Sequence, residues 1–528
     1  MPDKLFRIHG GLHLQAHKSA STNHALQDAG LPERLYLPLK QHIGDYPEPL
    51  VAPGDRVLKG QMIAAPATNI SAPVHASSSG MVSLVATHPV AHPSGQSDRC
   101  IIIDVDGKDD AIEYRSVDIS HASPAQLIEL LRNAGIAGLG GAVFPTAAKL
   151  LRAGHTGIKT LIINGVECEP YISCDDMLMR HRSAEVLRGI EILQQILAPA
   201  KTLIGIEDNK PEAFQAMSAA LQERSLVGTR LISIPTIYPS GGEKQLIQIL
   251  TGDEIPQGQL ALDIGYLCQN VGTCAAIARA IDTGEPLISR VVTVSGDNIL
   301  HPGNWDVRLG TAINHLIALA GGYKQADNRK ILMGGPMMGF PLASTDIPIV
   351  KASNNILVMH KSDQLQGSSQ HDECIRCADC TEVCPANLLP QQLYWQVRAK
   401  AFDKAADYHL FDCIECGCCT EVCPSDIPLV HYYRSAKAEI RVAALEQVKS
   451  DRARVRFEFR EQRLLLKKQQ EEERRRLKRL ALKNRKPGTD AKDSASCPVQ
   501  AALERVKARK LAQQDKNETK LDTTDAPG

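Results

Sequence analysis

The 528-residue sequence contains no apolar run of the roughly 18 residues that a membrane-spanning helix needs. Its opening, MPDKLFRIHGGLHLQ, has no apolar core of secretory-signal length. Charge of one sign is not in excess: 60 basic residues meet 60 acidic ones, so no global field draws in nucleic acid or an anionic surface. No Lys sits in MIAAPATNISAPV, the stretch between Met62 and Val74 where a carrier domain would place its modifiable side chain. The glycine-rich text near residue 140 is not the dinucleotide fingerprint G-x-G-x-x-G. These absences argue against a membrane-spanning, secreted, nucleic-acid-binding or swinging-arm protein. They predict a chain in a reducing compartment, or one held on a membrane by something other than its own helix.

Cysteine is abundant, with 15 residues, and it is clustered. CIRCADCTEVCP runs from Cys374 to Pro385 and CIECGCCTEVCP from Cys413 to Pro424. Each is C-x2-C-x2-C-x3-C-P, which reads as metal ligation rather than disulfide bonding. Three cysteines on one tight loop reach three irons of a cubane, and the fourth iron is met from elsewhere. In two-cluster ferredoxins the fourth Cys of each run serves the other cluster. On that pattern Cys374, Cys377, Cys380 and Cys423 hold one [4Fe–4S] cluster, and Cys384, Cys413, Cys416 and Cys419 hold the other. The alternative is zinc, which usually pairs two C-x2-C knuckles and has no use for the further thiols. Cys418 does not fit the spacing and reads as a small loop residue. The insertion ANLLPQQLYWQVRAKAFDKAADYHLF is helical in pattern and marks an alpha-helical ferredoxin type.

The predicted fold is multidomain, α/β and α+β. Residues 1–110 hold short strands between Gly, Pro and Asn punctuation and resemble a barrel-sandwich hybrid. Residues 111–288 alternate helices with short apolar strands (KTLIING, KTLIGIE, TRLISIPT), the signature of a parallel sheet covered by helices. Residues 289–360 suggest a small β-grasp-like unit of SLBB type, and 361–436 carry the cysteine motifs. Residues 437–486 form a charged helical arm, either simply solvated or leaning on anionic lipid. Residues 487–528 are expected to be disordered.

The stretch GIAGLGGAVFPTAAKL (135–150) ends in a helix, an arrangement that cradles phosphate through bare backbone N–H groups, although a tight turn is the simpler reading. INGVECEP (163–170), YPSGGEKQLI (238–247) and CQNVGTCAAIARAI (268–281) follow it in order. Together they resemble the flavin- and NADH-binding subunit of respiratory complex I. That family has a G-R-G-G-A-G-F-P-T-G-x-K loop, an N-x-D/E-E-x-E-P turn, a Y-x-x-G-E-E helix start and an N-N-V-x-T segment. The resemblance implies that Gly138, Gly140, Gly141 and Lys149 hold FMN and that Phe144 stacks on the nicotinamide. It implies that Asn164 and Glu167 line the flavin site and that Glu169 faces the nicotinamide side. Tyr238, Gly241 and Glu243 would close the site, and Asn270 and Thr273 would bind the FMN phosphate. Leu139 stands where that loop has Arg, Val143 where it has Gly, and Gly242 where the helix start has a carboxylate. A flavin site kept only as scaffold is the alternative.

The order of parts, with HGGLHLQAHKSAS at the start and a charged Ala-rich tail, closely resembles the C subunit of Rnf electron-transport complexes, from about residue 5 to residue 440. The resemblance implies a peripheral subunit on the cytoplasmic side of the bacterial inner membrane. Its cofactors would be FMN and two [4Fe–4S] clusters, with NADH/NAD as substrate. Its partners would be integral and peripheral subunits of the same complex, including a ferredoxin-like one, and no nucleic acid. The implied activity is that of an ion-translocating NADH:ferredoxin oxidoreductase. A soluble NADH dehydrogenase and a non-enzymatic docking adaptor are the rivals.

Overall fold

The computed structural model describes residues 4–361, 371–484, 499 and 502–508. The expected disordered tail and the start of the ferredoxin stretch fall largely outside them. Met1–Val442 forms one compact unit and Ala443–Gly528 a second.

Two small antiparallel sheets make the sandwich. One orders Arg34–Pro38, Ser97–Val105, Gly80–Pro89 and Arg56–Val57; the other orders Glu48–Pro49, Met62–Ala65 and Val74–His75. The strands are short because Gly and Pro punctuate them. Leu35, Leu37, Ile63, Ile101 and Ile103 point inward with no exposed surface.

The central sheet is fully parallel, in the order Thr229–Ile234, Lys201–Glu207, Thr160–Gly165, Tyr266–Asn270. Its inner strands are near-continuous Ile and Leu, as both faces are covered by helices. In chain sequence the order is 3-2-1-4, so the winding reverses between Thr160–Gly165 and Tyr266–Asn270. Ligands of such sheets bind outside the carboxyl ends of the strands at this switch point. Asn164 and Asn270 pair in register there.

A six-stranded sheet follows, centred on Ser289–Ser295, Gly303–Arg308 and Asn355–Met359. Its outer strand is Gln27–Asp28, far away in sequence, paired with Trp305–Asp306. In the ferredoxin-like region the doubled text has a doubled backbone. Arg376 and Ala378 have φ of 61° and 73°, and their counterparts Glu415 and Gly417 have 60° and 86°. Short helices Asp379–Glu382 and Cys418–Glu421 start directly after these turns, and Pro390–Arg398 and Phe402–Asp407 fill the insertion. The helix Leu429–Lys483 buries only its first turns, through Leu429, Val430, Tyr433, Ala436 and Lys437. No helix among the described residues is long and apolar enough to cross a membrane.

The N-terminal segment threads between these parts. Gly10 sits at φ 60°, and a Cβ there would lie 2.5 Å from the Val383 carbonyl carbon, so only glycine permits the approach. Gly11 N–H donates to Val383 O at 3.0 Å, and Leu12 exchanges backbone bonds with Tyr238. Farther along, Asn304 Nδ2 donates to Ser21 O at 2.9 Å.

Candidate functional site

The glycine-rich loop lies beside the switch point. Gly138 N–H donates to Phe144 O at 2.9 Å and closes the loop. Leu139 N–H donates to Thr273 Oγ1 at 2.9 Å, which pins the loop to helix Val271–Asp282. Asn270 caps that helix: its Oδ1 accepts from Gly272 N–H at 2.8 Å, as Asn does at an N-cap. A Cβ on Gly140 would touch Asn270 Cβ at 3.4 Å, whereas a Cβ on Gly141 would meet no protein atom within 4 Å. Neither glycine has a positive φ. Packing against protein and backbone conformation therefore do not explain glycine at position 141; the space beside it is open. Among the described residues the N–H groups of Gly140, Gly141 and Ala142 donate to no protein acceptor. The loop is a bare set of donors facing open space, which fits the phosphate or ring edge of a flavin. Val143, a β-branched residue, stands at φ 44° within it, a strained geometry of the kind that clusters at ligand clamps.

The other motifs converge here. Lys149 Nζ donates to Cys268 O at 2.7 Å and pairs with Glu243 Oε1 at 3.2 Å. Asn164 Nδ2 donates to Gly241 O at 2.9 Å. Asn270 Nδ2 donates to Asp175 Oδ2 at 2.6 Å. Glu167 is buried, and its Oε1 accepts from Asp175 N–H at 2.8 Å. The ligand atoms of Glu167, Cys174 and Asp175 lie within 4.8 Å of one another. Burial and the adjacent Glu167 charge push the Asp175 carboxyl up to about 7. Lys18, from the N-terminal segment, faces Glu167 Oε2 at 3.7 Å, and Lys210 Nζ donates to Glu167 O at 3.3 Å. Phe144 is half-buried at the end of the loop.

Two placements differ from the expectation. Tyr238 does not close over the loop. It is buried, and its hydroxyl donates to Cys416 O at 2.5 Å, because a buried O–H needs an acceptor and the second cysteine motif packs against it. Glu169 has one carboxylate oxygen taken up by backbone amides. Its Oε1 accepts from Met337 N–H at 3.0 Å and Met338 N–H at 2.8 Å, and a Cβ on Gly335 would strike it.

The cysteines gather as two sets. Cys374, Cys377, Cys380 and Cys423 line one cavity, and Cys384, Cys413, Cys416 and Cys419 line another. No disulfide joins the described cysteines. Nor do any three of these thiols approach within 4.8 Å of one another. A single zinc ion draws its thiolates to about 3.8 Å apart, from Zn–S bonds of about 2.3 Å. Four thiols around each cavity, none of them gathered into a tight zinc-like group, fit a cubane. In the second loop the left-handed Glu415 donates its N–H to Cys413 Sγ at 3.4 Å. Lys437 Nζ braces the second loop by donating to Cys413 O at 2.6 Å and pairing with Glu415 at 2.8 Å. Cys418 is fully buried beside Tyr238, Met337 and Cys416.

Comparison with known proteins follows this geometry. Residues 131–279 match the Nuo51 FMN-binding domain and 373–427 the 4Fe-4S dicluster domain. Residues 6–108 match the RnfC barrel sandwich hybrid domain and 291–341 the SLBB domain. The C subunit of the ion-translocating oxidoreductase complex of Pectobacterium atrosepticum is 48% identical over 97% of this chain and 72% of its own length. The chain belongs to the family of C subunits of ion-translocating oxidoreductase complexes. The Serratia proteamaculans member is 47% identical over 96% of this chain and 70% of its own. A solved NAD⁺-reducing [NiFe]-hydrogenase, in the air-oxidized state, aligns over 60% of this chain and 62% of its own at 18% identity and a TM-score of 0.42, too loose a likeness to bear on the site. This C subunit thus joins an FMN-binding domain and a dicluster domain in one compact unit.

Several residues of the site carry no motif letter. Asp175 follows Glu167 by eight positions at a helix start, and its only sequence signal is the acidic pair Asp175–Asp176. Lys351 gave no signal at all. It is fully buried, donates to Gly135 O at 2.7 Å and Pro73 O at 3.1 Å, and burial pushes its ammonium from 10.5 down to about 7. The unfolded chain holds that proton more firmly than the folded one, so this group makes stability rise as pH climbs from 7 toward 10.5. Between pH 7 and 9 the increment is about 2 kcal/mol. Thermal melts should show wild type gaining more over that interval than Lys351→Met; parallel curves would contradict the assignment.

Proposed function

We propose that this chain is the electron-entry subunit of a membrane-bound, ion-translocating complex, exchanging electrons between NADH and a ferredoxin-type partner. The observation that carries the reading is the presence, in one compact unit, of a donor-bare glycine loop at the sheet switch point and two four-thiol cavities. FMN, when bound, would supply the step between one hydride (two electrons and a proton) and single electrons, and [4Fe–4S] clusters would carry the single electrons onward.

The residues have distinct tasks in this reading. Gly140, Gly141 and Ala142 supply backbone donors, and Thr273 fixes the loop that presents them. Lys149 places a cation between the Cys268 carbonyl and Glu243 at the mouth. Asn164 and Asn270 flank the crevice. Beside it Asp175, facing the buried Glu167, has a carboxyl raised to about 7 and is able to hold a proton near neutrality. Cys374, Cys377, Cys380 and Cys423 would hold one cluster, and Cys384, Cys413, Cys416 and Cys419 the other. Ion passage belongs to partner subunits, on which the chain sits peripherally at the cytoplasmic face of the bacterial inner membrane.

Anaerobic purification with iron, sulfide and flavin quantified, then NADH titration, tests this. Two cubanes give about eight irons per chain, with one FMN bleached by NADH. Zinc without acid-labile sulfide would sink the cluster assignment. Clusters without flavin would leave only the docking adaptor.

A further inference from the structure

The complex-I-type loop has an arginine at the position of Leu139, and this chain has lost it from the loop. The structure supplies a guanidinium from elsewhere. Arg290 stands on strand Ser289–Ser295 of the SLBB-type unit, outside the flavin domain in sequence, and only 5% of it is exposed. Its Nη2 donates to Leu139 O at 3.3 Å, its Nε to Val291 O at 3.3 Å, and its Nη1 to Lys351 O. Among the described residues no carboxylate forms an ion pair with it. The acidic groups that face it are Cys174 and Asp175, members of the buried cluster beside Asn270.

The Leu139 peptide is therefore clamped at both ends. Its N–H is held by Thr273 of the flavin domain and its C=O by Arg290 of the neighbouring unit. Lys351, from the same unit, holds the Gly135 carbonyl at the start of the loop. The Leu139 carbonyl and the Gly140 N–H share one trans peptide plane, so holding the carbonyl on Arg290 points that N–H the opposite way, into the loop. Cys174 hydrogen-bonds the guanidinium and Asp175 faces it, so the field that reaches the loop is that of the cation offset by this carboxyl, in a low-dielectric surrounding that screens both weakly.

We propose that Arg290 is a positioning residue for the flavin: it sets the donor geometry of the glycine loop and supplies from the SLBB-type unit a guanidinium beside Leu139, where the complex-I-type loop carries its own arginine. This rests on the FMN reading of the site. Reduced flavin bears more negative charge than oxidised flavin, so the cation favours the reduced form and raises its midpoint potential.

The test uses the full chain, anaerobically purified, with Arg290→Met and Arg290→Lys. FMN affinity is read by fluorescence on flavin-stripped protein, flavin midpoint potential by redox titration, and folding by the signal of the dithionite-reduced clusters. Losing a buried charged hydrogen bond weakens binding roughly 10- to 100-fold, so Arg290→Met should lose that much affinity and titrate at a lower potential. Arg290→Lys keeps the charge but not the planar fork; it should lose about 5-fold or more in affinity while its potential stays near wild type. Wild-type affinity and potential in Arg290→Met with clusters intact would overturn the proposal. If Arg290→Met fails to assemble clusters, Arg290→Lys decides, and wild-type affinity there overturns it equally. A wild-type chain that binds no FMN would instead refute the flavin reading itself.

Discussion

Cys384→Ser should remove the cluster of the second cysteine motif and leave that of the first, in which Cys384 is written. Cys384 lines the cavity of Cys413, Cys416 and Cys419, while Cys374, Cys377 and Cys380 face Cys423. A hydroxyl is a poor ligand for iron in a cubane, and a cluster held by three thiolates in a cavity of this kind is lost or converted. Iron should fall from about eight to about four per chain. The cluster signal that remains should be the one that Cys423→Ser abolishes. The effect on folding should be smaller than the effect on iron, because Cys384 packs at the rim of a core centred on Leu393, Tyr394, Leu410 and Tyr433. Loss of the same signal in Cys384→Ser and Cys377→Ser would mean that each motif closes on itself, and the cross-ligation would be wrong.

Gly141→Leu should release flavin and leave both clusters in place. A side chain there meets no protein atom within 4 Å of its Cβ, and the backbone has an ordinary negative-φ geometry, so folding should change little. The added Cβ obstructs only what occupies the open space. Displacing a ligand from two or three backbone donors costs about 3 kcal/mol or more, roughly 100-fold in affinity. Flavin content after desalting should drop below detection while iron stays at the wild-type value. Full flavin occupancy in Gly141→Leu would move the site elsewhere. Gly140→Ala is the graded comparison: its Cβ touches Asn270 at 3.4 Å, so a smaller loss should accompany it.

What the chain writes locally was readable. Cysteine spacing, Gly and Pro punctuation, and alternation of apolar strands with amphipathic helices act over a few residues, because backbone dihedrals and side-chain periodicity are set by near neighbours. The strands at Thr160–Gly165, Lys201–Glu207 and Thr229–Ile234 and the cap at Asn270 belong to this class. So does the loop from Gly138 to Lys149, whose bare glycines are a statement about close approach. The pattern of the ferredoxin motif even implied which cysteines meet, although its two halves are separated by an insertion.

Tertiary structure decided everything that needed two distant segments to share one buried space. Strand order put Asn164 opposite Asn270, and no local signal carries strand order. Tyr238 and Glu169 read as flavin residues from their motifs, but once buried their polar atoms had to find partners. The partners available were Cys416 O and the amides of Met337 and Met338. Lys18, Arg290 and Lys351 belong to none of the motifs in the sequence. Each is buried in the fold, where desolvation obliges it to donate to a neighbouring carbonyl, and the carbonyls within reach belong to the Glu167 turn and the glycine loop. Sequence named the elements of the site; the need to satisfy buried polar groups across domains decided which side chains hold it in place.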